Sequence, residues 1–104
     1  MPSSLQLQTA VPNPETAQRI AETLVQERLA ACVQTVGPIQ STYRWEGKVE
    51  TATEYLLLVK TTAAHRDAVI ERARELHPYE VPEIIATEIS GGLPAYLNWI
   101  AESV

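Results

Sequence analysis

The sequence predicts an α+β fold, a split βαββαβ arrangement of the ferredoxin-like kind with one long β-hairpin and a C-terminal helix. Three observations lead there. Two long stretches of period-two alternation flank Trp45-Glu46-Gly47-Lys48, a helical stretch lies on either side of that pair, and shorter alternating runs open and close the βαββαβ order. With 104 residues and 45% hydrophobic content, the chain has enough apolar material for one domain, residues 1–104, around one core.

Leu5, Leu7 and Thr9 alternate with Gln6, Gln8 and Ala10, a first strand that ends at Val11-Pro12. Asn13, Pro14 and Glu15 predict a helix start: a capping side chain, a proline at the first helical position and a carboxylate near the positive end of the dipole. Ala17, Ile20, Ala21, Leu24, Val25 and Leu29 then form one stripe opposite Gln18, Arg19, Glu22, Gln26 and Glu27, so the helix lies on a sheet. Ala30-Ala31-Cys32-Val33 leads into the second strand. There Gly37-Pro38 predicts a bulge, a bend or an exposed edge, because proline cannot donate to a ladder.

Ile39, Ser41, Tyr43 and Trp45 alternate up to the turn, and Val49, Thr51, Thr53, Tyr55, Leu57 and Val59 continue the period after it, with Gly47 supplying a positive φ. Tyr55-Leu56-Leu57-Leu58-Val59 is apolar on both faces, as in a central strand covered on both sides. Thr61 or Thr62 caps a second helix whose Val69, Ala73 and Leu76 face inward, and Pro78 stops it. A strand over Ile84–Ile89 breaks at Gly91-Gly92, and Pro94 starts a last helix carrying Tyr96, Leu97, Trp99 and Ile100.

Hairpin arms from about Val33 to Trp45 and Lys48 to Thr61 each span on the order of 40 Å. A compact domain of this length has a diameter on the order of 35 Å. The tip therefore projects, and its open edge and its aromatic residues Tyr43, Trp45 and Tyr55 call for coverage by other chains, which predicts an oligomer. The second apolar face of the Tyr55–Val59 strand, for which the chain offers no further cover, gives the same expectation.

Eight Lys and Arg against thirteen Asp and Glu give a net charge of −5 with no basic run, which excludes a phosphate-binding face and hence nucleic acid. Cys32 is the only cysteine, so no intrachain disulfide forms, in keeping with a reducing compartment. Met1 to Gln8 lacks the charged start and apolar core of a leader, and no apolar run approaches the roughly 20 residues of a membrane span. A soluble, cytoplasmic protein without membrane contact is expected.

No phosphate-cradling loop, Gly-x-Ser-x-Gly, Cys-x-x-Cys or His-x-x-x-His occurs, and no nucleophile stands beside a base, so an enzyme is not expected. His65, beside Arg66 and Asp67, reads as a solvated surface residue. His77 opens a proline-bracketed segment, His77-Pro78-Tyr79-Glu80-Val81-Pro82-Glu83, that fixes where Tyr79, Glu80 and Glu83 point. One reading is a helix end that an imidazole suits and prolines stiffen. The other is a metal or small-ligand site of His77 with Glu83 or Glu80 and the Cys32 thiolate, a donor set suited to copper or zinc. Cys32 alone reads as a small buried core residue. Lys60 reads as an edge charge or as the cation of an anion pocket. Tyr43, Trp45 and Trp99 read as packing or interface aromatics.

In Leu29-Ala30-Ala31-Cys32-Val33, Tyr43-Arg44-Trp45-Glu46-Gly47-Lys48, Glu54 through Thr61, His77 through Glu83, and Tyr96-Leu97-Asn98-Trp99-Ile100, the chain resembles the CutA family of divalent-cation tolerance proteins over nearly its whole length. The resemblance implies a stable homotrimer with long hairpins packed between subunits, a similarity to trimeric PII signalling proteins, and a link to Cu(II) and other divalent cations. The family's proposed copper ligands are a first-strand cysteine and adjacent histidines before Pro-Tyr. Here Gln8 stands at the first position and Leu76 precedes His77, so only His77 matches. The expected function is divalent-cation tolerance through metal binding at His77, Cys32 and Glu83. The alternative is PII-like sensing of a small anionic ligand between subunits, with Lys60, Tyr79, Glu80, Trp45 and Trp99 as pocket candidates.

Overall fold

The alternating segments assemble into one four-stranded sheet in the computed structural model, which describes residues 3–104. Met1 and Pro2, the start of the segment read above for a leader, lie outside those residues. The strands are β1 (Ser4–Val11), β2 (Cys32–Trp45), β3 (Lys48–Thr62) and β4 (Ile84–Glu88). Their order is β2-β3-β1-β4 and every neighbouring pair is antiparallel. The helices are α1 (Pro14–Gln26), α2 (Arg66–Leu76) and α3 (Pro94–Glu102), which gives the α+β ferredoxin-like arrangement that the pattern predicts.

Local chemistry sets the element ends. The Thr16 N–H donates to Asn13 Oδ1 at 2.8 Å, capping α1 as expected. The helix ends where Arg28 takes φ 58° and the Leu29 N–H returns to the Leu24 carbonyl at 2.9 Å. Ala17, Ile20 and Leu24 are its buried residues. Val25, placed on the same stripe by the sequence, is 43% exposed, since a step of about 100° from Leu24 carries it off the sheet-facing side. Thr62 does not cap α2. Its hydroxyl pairs with His65 Nδ1 at 2.8 Å across a 3-10 turn over Ala63–His65, so His65 is anchored rather than freely solvated.

The core lies between the helices and one face of the sheet. Leu5, Leu7 and Val11 of β1 and Leu57 and Val59 of β3 meet Ile20 and Leu24 of α1 and Val69 of α2. Each such side chain contributes about 1.5–3 kcal/mol on burial. The register explains the arrangement, because Leu7 pairs with Val59 and Thr9 with Leu57, which puts the odd-numbered residues of both strands on this face.

The hairpin turns at the expected place. Trp45 pairs with Lys48, and Glu46 and Gly47 both have positive φ, 49° and 79°, the geometry of a two-residue turn matched to strand twist. The predicted interruption at Gly37-Pro38 is a register shift between Val36 and Ile39. Any side chain at Gly37 must displace the Tyr55 ring, since a Cβ on it would stand 2.5 Å from Tyr55 Cδ2. The molecule measures 45 × 25 × 22 Å, elongated as the arm lengths predict.

The second face departs from expectation in one respect. Part of its cover comes from the chain itself. α3 packs on β3 and β1 and buries its own Ile100 completely. Beyond α3, Leu56 and Leu58 are half-buried, and Val36 and Ile85 remain exposed.

Candidate functional site

Past the end covered by α3, the second face opens into a cleft of about 710 Å³ lined by Ala10, Ser41, Tyr43, Trp45, Glu54, the run from Pro78 to Val81, and Glu83. Three things build it. Ser41, Tyr43 and Trp45 fall on the same face of the hairpin as Glu54 because Ile39 pairs with Glu54 after the bulge and the alternation runs on from there. β4 stops pairing with β1 at Thr9 and Ile84, so the strand end near Ala10 is left to another partner. The proline-bracketed segment supplies that partner and passes over the face.

His77 is the residue that docks the segment. It is buried, 8% exposed, and its Nε2 lies 2.8 Å from the Ala10 carbonyl oxygen. Its Nδ1 accepts the Tyr79 N–H at 3.2 Å. These partners fix the neutral tautomer with the proton on Nε2, which donates to Ala10. Burial holds His77 below the ordinary imidazole range, with the Ala10 carbonyl and the Glu54 charge pulling the other way.

Tyr79 leans on the His77 ring, centroids 4.9 Å apart, and its hydroxyl donates to Glu54 Oε2 at 2.8 Å. Burial first and the Glu54 carboxylate second push the Tyr79 phenol up to about 12. At the rim, Gln8 Nε2 donates to Glu83 Oε2 at 2.9 Å. The lining thus contains three carboxylates, Glu54, Glu80 and Glu83, and neither lysine nor arginine.

Of the residues singled out from the sequence, Trp45, Tyr79, Glu80 and Glu83 come together in this cleft, and His77 lies beneath it. Cys32 and Lys60 do not. They face each other across the β2–β3 ladder in the row of Gln6, four residues along β1 from Ala10, or roughly 13 Å. Cys32 neighbours Tyr96 of α3, whose phenol is pushed up by burial first and by the cysteine second. Lys60 Nζ donates to Gln34 Oε1 at 2.7 Å. Trp99 sits on α3 in a tilted stack with Tyr96, centroids 5.5 Å apart. No group of three His, Cys, Asp or Glu side chains converges among the described residues. The set His77, Cys32 and Glu83 is therefore not assembled within one chain, because both His77 nitrogens are held by backbone groups and the thiol lies at the other end of the face. The residues that do converge are oxygen donors, which do not fit a nitrogen and sulfur copper centre.

Two contributors were missed in the sequence. Glu54, 7% exposed, is a carboxylate continuing the row of Leu58 and Leu56 on one face of β3, and that break in an apolar row was the signal available. Gln8 entered only as the residue at the family's first-strand ligand position, and nothing local signalled its hydrogen bond to Glu83, 75 positions away.

Comparisons with known proteins agree with this architecture. A rice protein, chloroplastic Protein CutA 1 of Oryza sativa subsp. japonica, is 45% identical over 100 residues, covering 96% of this chain and 56% of that protein. Chloroplastic Protein CutA of Arabidopsis thaliana is 43% identical, with 55% of it covered. The chain thus spans about half the length of these plant relatives. Among solved structures, the divalent cation tolerance protein Cut A1 of Thermus thermophilus superposes with a TM-score of 0.94 at 47% identity, covering 96% of this chain and 97% of that one. The periplasmic divalent cation tolerance protein CutA of Archaeoglobus fulgidus gives 0.93 at 39%, with 96% and 97% covered. The names of the Thermus and Archaeoglobus proteins describe divalent cation tolerance, and none of the four names an enzymatic activity. Chloroplastic and periplasmic relatives also overturn the expectation of a cytoplasmic protein. A lone cysteine and a short polar start do not distinguish compartments that related chains of this fold share. No helix among the described residues is long and apolar enough to cross a membrane. The profile of the family described as CutA1 divalent ion tolerance protein matches residues 5–103, and the chain belongs to that family.

Proposed function

We propose that the chain acts in divalent-cation tolerance as a homotrimer without enzymatic turnover, the negative second-face cleft drawing divalent cations that accept oxygen donors rather than holding a nitrogen and sulfur copper centre. One observation carries the reading: Glu54, Glu80 and Glu83 line the cleft with no cationic side chain among them, so the cleft concentrates positive ions. Of the residues first expected to bind metal, Glu83 reaches this cleft directly, His77 positions Tyr79 from beneath it, and Cys32 joins a ligand set only if a neighbouring copy brings it there. Trimer formation is supported by the long free edge of β2 and by Val36 and Ile85, exposed beyond α3. A PII-like anion site is the weaker reading on charge, because Lys60 stands far from Tyr79 and Glu80.

Calorimetric titration with copper, zinc and cobalt tests the proposal alongside sedimentation. Binding tighter than about 1 mM that weakens in Glu83→Gln is expected. A monomer at micromolar concentration, or equal metal affinity in the variant, refutes it.

A further inference from the structure

We draw no further inference here: the strongest candidate, the uncharged surface patch that Leu93, Tyr96 and Trp99 form on the exposed side of α3 over the second face of the sheet, carries nothing because nothing in the structure shows what covers it.

Discussion

Replacing His77 by leucine separates a docking role from a metal-ligand role. In the wild type, Nε2–H satisfies the Ala10 carbonyl at 2.8 Å and Nδ1 accepts the Tyr79 N–H at 3.2 Å. Leucine fills similar space and satisfies neither. Ala10 is 6% exposed, so its carbonyl loses its partner with little water to replace it, at a cost of about 1–3 kcal/mol. Tyr79 is 37% exposed, and water takes its N–H at small cost. The ring contact between His77 and Tyr79 adds about 0.5–1 kcal/mol. The sum is about 1.5–4 kcal/mol, read by urea denaturation of both proteins at one fixed concentration, because assembly makes stability concentration-dependent. The variant also changes the pH profile. Burial depresses the folded pKa of His77 below its ordinary 6.5, so the folded state binds fewer protons than the unfolded one. Its contribution is fully present above the unfolded value and is lost as pH falls from there through the folded value. The wild type therefore loses stability on acidification below about pH 6.5, and the leucine variant lacks that part of the slope. A loss under about 0.5 kcal/mol together with abolished metal affinity refutes the docking account and makes His77 a ligand instead.

Other perturbations probe the scaffold and the cleft. Gly37→Ala sets a methyl 2.5 Å from the Tyr55 ring and costs about 1–3 kcal/mol by denaturation; an unchanged midpoint contradicts the close packing at the bulge. Asn13→Ala removes the acceptor of the Thr16 N–H and costs about 1 kcal/mol, and a neutral result shows that water caps α1 equally well. The absorbance difference between wild type and Tyr79→Phe places the Tyr79 ionisation near pH 12 against an ordinary 10.0. Because the folded value is raised, the corresponding stability is present below pH 10.0 and fades as pH rises through about 12. Ionisation near the ordinary value removes the hydrogen bond to Glu54.

Period-two and helical spacing, an Asn-Pro helix start, a Glu-Gly turn and a Gly-Pro interruption were enough to read the strand and helix order, because each depends on residues a few positions apart. The sequence also identified the segment from His77 to Glu83 as the place where polar groups are held rigid. The convergence of that segment with the hairpin followed from register instead. Ile39 pairs with Glu54 only after the shift at Gly37-Pro38, and one step of slip would turn Tyr43 and Trp45 away from Tyr79. Residue type alone does not say which of the candidate residues meet within one chain: β-pairing puts Cys32 and Lys60 in the row of Gln6, while His77 is drawn to Ala10 and Glu83 to Gln8. Local pattern thus specifies what the chain forms. Which side chains share a surface is set by long-range pairing and burial, where backbone groups claim the imidazole and a phenol meets the sunken Glu54 carboxylate.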